Sequence, residues 1–154
     1  MITLYRKLKI PDPEAVTARN TLKDYSLRRL DKMEEFSIDA DDDVLKSAVS
    51  YLYNPNEHFY LVNTGNGTRG NEKAFDVNYD ARIRVETEED PMTITVLNVL
   101  RGRYGHGSKI RNVRRKVVWG VVFQEGETDI YGKADEMART LFANPVFQRY
   151  EVSV

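Results

Sequence analysis

Residues 101–116 read Arg-Gly-Arg-Tyr-Gly-His-Gly-Ser-Lys-Ile-Arg-Asn-Val-Arg-Arg-Lys, with seven lysines or arginines, one histidine, one tyrosine and no acid. Three uses fit such a segment. Arg101, Arg103, Lys109, Arg114, Arg115 and Lys116, with His106, can grip nucleic-acid phosphates. They can dock on an acidic partner or a ribonucleotide phosphate. They can also stand solvated on a loop that feeds a strand. The formal net charge is -1, so no whole-chain field favours nucleic acid or an anionic membrane. Nucleic acid therefore ranks last of the three.

Other spacings are weaker. Gly65-Asn-Gly67-Thr-Arg-Gly70 matches G-x-G-x-x-G, but the polar stretch after it is not the apolar helix that a dinucleotide fingerprint needs. Asp39, Asp41 and Asp43 alternate as in a calcium loop, yet Val44 and Ser50 stand where that loop wants Gly and Glu. Helix capping by Asp42 or Asp43 explains the acids better. His58 and His106 are the only histidines and have no metal-pair spacing, and cysteine is absent, which removes disulfides and thiolate chemistry. No cofactor and no independent catalytic site is expected. No apolar run reaches the ~20 residues of a membrane helix, and the opening MITLYRKLKIPDPE lacks the pattern of a signal peptide. A cytoplasmic protein is expected.

The chain repeats itself. At an offset of 78, Asp12/Asp90, Pro13/Pro91, Thr17/Thr95, Asn20/Asn98 and Leu22/Leu100 are identical. At an offset of 90, Ala48/Ala138, Asn54/Asn144, Pro55/Pro145, Tyr60/Tyr150 and Val62/Val152 are identical. The second copy thus carries about 12 extra residues in its middle. Two blocks in the same order, each with an X-Pro dipeptide in register, argue for duplication. The copies span 1–62 and 76–154, and the Gly/Asn-rich stretch 63–75 reads as a linker.

Each copy must position these residues with the same elements. Alternating apolar residues (Ile2, Leu4, Leu8 and Ile10; Ala81, Ile83 and Val85) predict a first strand. Asp-Pro supplies an N-cap and a first helical residue, so helices are expected from Pro13 and from Pro91. The second of these is rich in β-branched residues and reads as a strand by propensity alone; the repeat decides for helix. A strand pair or one bent strand is expected over 27–38 and over 110–123. An amphipathic helix then runs to Asn54-Pro55 and to Asn144-Pro145, and a short strand ends each copy. The order is β-α-β(β)-α-β twice: an α+β fold whose two tandem units form an internal pseudo-dimer, with antiparallel sheets covered by helices.

The string Leu141-Phe-Ala-Asn-Pro-Val-Phe-Gln-Arg-Tyr-Glu-Val152, with the Asp-Pro helix openings, resembles the PurS subunit family of phosphoribosylformylglycinamidine synthase. Ala15 and Thr93 stand where that family often has glycine, and the fused pair resembles the PurS-like region of the long, single-chain synthase. The resemblance implies a subunit of an ATP- and glutamine-dependent ligase of purine biosynthesis, without catalytic residues of its own. It implies as partners the large ATP-dependent subunit and the glutaminase subunit, which such a piece bridges, and it leaves room for a homodimer. The interface candidates are then Asn54, Pro55, Asn144 and Pro145 together with the basic 101–116 segment. The alternative is a small nucleic-acid-binding α+β domain that uses that segment.

Overall fold

The computed structural model describes residues 1–154. In chain order the elements are β1 (Ile2–Leu8), α1 (Pro13–Thr21), β2 (Leu27–Ala40), α2 (Leu45–Leu52), β3 (His58–Thr64), β4 (Gly67–Gly70), α3 (Glu72–Phe75), β5 (Ala81–Thr87), α4 (Pro91–Asn98), β6 (Ile110–Phe123), α5 (Ile130–Met137) and β7 (Gln148–Ser153). Two helices run on as π-turns, α4 through Val99–Arg103 and α5 through Ala138–Phe142. The fold is α+β, with antiparallel strand pairs packed against helices. No helix is long and apolar enough to cross a membrane.

Both Asp-Pro helices start where expected. Asp12 accepts the Glu14 N–H at 2.9 Å and Asp90 the Met92 N–H at 3.0 Å. Helix α4 forms despite its β-branched residues. The Thr95 hydroxyl bonds back to the Pro91 carbonyl at 3.1 Å, and Val96 and Leu100 are fully buried. Burial of a helix face outweighs propensity here. The long middle segments are single strands of 14 residues each. The offset between copies is 78 at the first helix, 83 along the long strand and 90 at the second helix. The second copy's insertion is therefore split, five residues before the strand and seven after it.

Three expectations need correction. Residues 63–75 are not a bare linker. Strand β4 folds back on β3 from Thr64↔Gly67 to Leu61↔Gly70, and α3 follows. Gly65-Asn66 makes the tight turn, and the Thr64 hydroxyl accepts the Asn66 N–H. Helix α2 is not capped by Asp42 or Asp43: these residues lie in a 3-10 turn with no side-chain cap bond. Strand β1 stops at Leu8, and Ile10 is exposed.

The chain forms two compact units, and neither is one sequence copy. The first unit comprises Met1–Lys9, Glu34–Asp76 and Glu89–Arg115. Its strands run β4-β3-β1-β2-β6, using the second half of β2 and the first half of β6. Its core joins Ile2, Leu4, Phe36, Ile38, Ala48, Leu52 and Val62 of the first copy to Val96, Leu100, Ile110 and Val113 of the second. The second unit comprises Ile10–Met33, Val77–Glu88 and Lys116–Val154, with strand order β2-β6-β5-β7. Its core joins Ile83, Trp119, Val121, Ala134, Met137 and Ala138 of the second copy to Ala15, Ala18, Leu22, Leu27 and Leu30 of the first. The boundaries expected at 1–62, 63–75 and 76–154 therefore do not delimit the compact units. Each core takes its first helix from the other copy.

Equivalent positions do equivalent work. Phe36 lies opposite Leu4 and Trp119 opposite Ile83. Trp119 also stacks on Phe142, with ring centroids 4.4 Å apart. Gly120 sits where the first copy has Ser37. The Tyr79 ring covers it so closely that a Cβ there would lie 2.4 Å from the ring.

Candidate functional site

The basic segment is built into the first unit up to Arg115 and is not a loose loop. The π-turn after α4 buries Leu100, whose carbonyl accepts the His106 N–H at 3.2 Å. Gly105 and Gly107 take left-handed backbone (φ 71° and 53°), which turns the chain into β6. Arg101 donates twice to the Ile110 carbonyl, at 3.0 and 2.7 Å. In the second unit Arg19 bonds to the Leu27 and Arg28 carbonyls. In both copies an arginine from the end of the first helix thus pins the start of the long strand. His106 shares a 2.7 Å hydrogen bond with the Ser47 hydroxyl, and Tyr104 meets Tyr51 edge-on at 6.2 Å.

Most of the positive charge is spent inside the molecule. Arg111 bonds to Asp39 at 3.0 Å and to Asp41 at 3.2 Å, and Lys109 pairs with Asp43. The alternating aspartates are thus partners of the basic segment, not a calcium loop or a cap. The hydrogen-bonded Lys109 ammonium holds Asp43 below the usual carboxylate range, and Asp43 raises Lys109 in return. Lys116 pairs with Glu151 at 3.4 Å in the second unit. Arg114 also has an interaction of its own. Arg103 lies 6.0 Å from the ring of its neighbour Tyr104. No group of three or more His, Asp or Glu side chains is placed to hold a metal ion.

Arg115 is the most committed of the candidates. Its Nε donates to Glu34 at 2.8 Å and its Nη1 to Asp90 at 3.0 Å. Glu34 also receives Arg6 Nε at 2.9 Å, and Arg6 Nη1 donates to the Leu52 carbonyl at 2.8 Å. Arg6, Glu34, Arg115 and Asp90 form a chain of alternating charge, with side chains 10–20% exposed. Burial alone would raise the Glu34 carboxyl; hydrogen bonds and charge from Arg6 and then Arg115 outweigh it, and the group titrates below its ordinary value. Burial opposes the Arg115 charge, and Glu34 and Asp90 more than restore it. The sequence reading missed Arg6, Glu34 and Asp90 as members of one cluster. The available signal was phase: Arg6 shares the buried face of β1 with Ile2 and Leu4, and Glu34 that of β2 with Phe36 and Ile38.

The chain matches no known family in a scan of family models and no curated protein in a sequence search.

The two Asn-Pro junctions are built alike. Asn54 Oδ1 accepts the Asn56 N–H at 3.0 Å, and the Asn54 carbonyl accepts the N–H groups of Glu57 and His58. Asn144 Oδ1 accepts the Val146 N–H at 3.0 Å, and the Asn144 carbonyl accepts those of Phe147 and Gln148. The asparagine N–H donates to His58 Nδ1 at 3.2 Å in one copy and to Gln148 Oε1 at 2.8 Å in the other. Both asparagine side chains thus stop a helix and start a strand. Pro55 and Pro145 follow as the residues that cannot continue the helix.

Only the first junction titrates. Burial, followed by the charge of Arg6, pushes the His58 imidazole below its ordinary value. The neutral form is therefore the one that the fold prefers, and protonation removes the acceptor for the Asn54 N–H. Stability from this group is present above its unfolded pKa of about 6.5. It is lost as pH falls through the lower folded value. Protection of the Asn54 amide, after division by its intrinsic base-catalysed exchange rate, is expected to fall on acidification through that window, while that of Asn144 stays flat. His58→Gln, which copies the second junction, should abolish the difference; an unchanged pH response in that variant would show that His58 is not its source.

Proposed function

We propose that this protein is a non-catalytic bridging subunit of phosphoribosylformylglycinamidine synthase, a fused duplicate of the PurS type that docks the glutaminase on the ATP-dependent large subunit. The observation that carries the reading is the helix-to-strand junction that resembles that family, Leu141–Val152. Its asparagine turns the helix into the strand through four hydrogen bonds, and the first copy repeats those at Asn54. The reciprocal use of first helices adds to it: the two copies act as a dimer made within one chain. A docking piece of that kind suits a complex in which ammonia must pass between two active sites of fixed geometry. Arg103 and the surface around the basic segment are the contact candidates. Arg101, Arg115 and the asparagines serve the fold.

The reading is tested by reconstitution. The purified chain, mixed with a large subunit and a glutaminase, is expected to yield a ternary complex on size exclusion. Glutamine-dependent amidine formation should then require the chain, while ammonia-dependent formation by the large subunit does not. Equal glutamine-dependent rates with and without the chain would dispose of the bridging role. The pairing of Arg111, Lys109 and Arg115 with acids weighs against nucleic acid as the ligand, because each phosphate contact would have to displace an internal carboxylate.

A further inference from the structure

The two copies treat the outer edge of their last strand differently. Strand β3 carries β1 on one side and β4 on the other. Its counterpart β7 carries β5 on one side and ends the strand order on the other. The stretch between the copies therefore closes the first edge, and no strand of residues 1–154 closes the second. Strand β7 has six residues and no proline, and its groups on that side are a template for another strand.

We propose that the open edge of β7 pairs antiparallel with β7 of a second copy of this chain, about a twofold axis at Tyr150. Charge selects both the occupant and the register. Arg149 and Glu151 share the exposed face of β7; Arg149 pairs with Glu86 and Glu151 with Lys116 in their own chain, yet their side chains stay 76% and 63% exposed and can meet a second partner. With Tyr150 opposite Tyr150, Arg149 of each copy faces Glu151 of the other. Across the joined sheets the row then reads Arg84, Glu151, Arg149, Glu86, with alternating sign, because Arg84 lies opposite Glu151 and Glu86 opposite Arg149 within each copy. Sliding by one residue either way about the axis fails: it sets Arg149 against Arg149 or Glu151 against Glu151. A half-step sets the polar face against the core face. The same register brings the end of one strand that carries Val146 to the end of the other that carries Val154. These are the two most exposed large apolar side chains, at 84% and 76%. The contact is isologous, so it closes as a dimer.

Charge reversal tests it on the full chain. Sedimentation velocity across a concentration series is expected to show a reversible dimer for the wild type. Arg149→Glu and Glu151→Arg should each weaken it by roughly tenfold to a hundredfold, because two symmetric attractions become repulsions. The double variant R149E/E151R should bind more tightly than either single variant, since the pairs across the axis return with their signs exchanged even though Arg84, Glu86 and Lys116 now face like charges within their own chain. Thermal unfolding of each variant checks that the fold is kept. A wild type that stays monomeric at every concentration overturns the proposal, and that is also the result if a strand of another protein fills the edge. A dimer that neither single change weakens, or that the double change leaves no tighter than the single ones, overturns it too. None of these results bears on the bridging role, which the reconstitution reads separately.

Discussion

Glu34→Val alone is expected to destabilise the protein by about 3 kcal/mol, the lower end for a broken buried ion pair because its side chain keeps one fifth of its exposure. Arg6→Val/Glu34→Val is expected to lie within about 1 kcal/mol of the wild type. The molecule supplies the comparison itself. Arg6 pairs across the strands with Glu34 in the first unit, and at the same register the second unit has Val85 and Val117. The single change leaves the Arg6 and Arg115 guanidinium groups facing each other without the carboxylate between them. The double change removes Arg6 as well, and Arg115 keeps Asp90. Urea midpoints at constant slope would give the coupling. A double variant as unstable as the sum of its parts would mean that valines cannot pack there. The pH dependence has a definite sign. The folded Glu34 titrates low, so its contribution is present above its unfolded pKa of about 4.3. It disappears as pH falls through the folded value. The double variant should lack that acid slope.

Leu100→Ala should cost about 2–5 kcal/mol, since Leu100 is fully buried. Where the loss appears matters more than its size. Leu100 belongs to the second copy but packs in the core of Ile2, Leu4 and Phe36. Hydrogen exchange should therefore accelerate in β1, α2 and β3, all first-copy elements, before it does so in β5 and β7. Leu22→Ala, which removes a first-copy side chain from the core of Ile83 and Trp119, should do the reverse. Loss of protection confined to the mutated residue's own copy would contradict the exchange of helices.

Much of the local structure was legible in the sequence because it is written in local rules. Asp-Pro twice gave two capped helices, and the duplication rightly overrode the strand propensity of residues 91–100. Val117, Val118, Val121 and Val122 marked the second long strand, whereas the first has Ile38 as its one β-branched residue; each folds as a single strand where a strand pair or one bent strand was expected. What was hidden depends on residues far apart in the chain. The helix exchange leaves no mark in composition, because an apolar face at Ala15, Ala18 and Leu22 looks the same whichever core receives it. The basic segment looked free because its acids lie some 70 residues earlier, at Asp39 and Asp41. The charge chain was half visible: Arg6 and Glu34 interrupt the apolar phase of their strands, and a charge in that phase needs a partner. The hairpin at β4 was read as a linker because it has no apolar residue, yet backbone pairing alone extends β3.

The exchange also orders events during synthesis. The first unit needs nothing beyond Arg115, so all of it leaves the ribosome before residues 116–154 do. Helix α1 is made much earlier but finds its core only when Trp119 and Met137 emerge. At translation rates of about 5–20 residues per second, its apolar face waits on the order of ten seconds. During that interval a neighbouring nascent chain offers the same unfilled core, so crowded polysomes are where this protein would exchange helices between chains instead of within one.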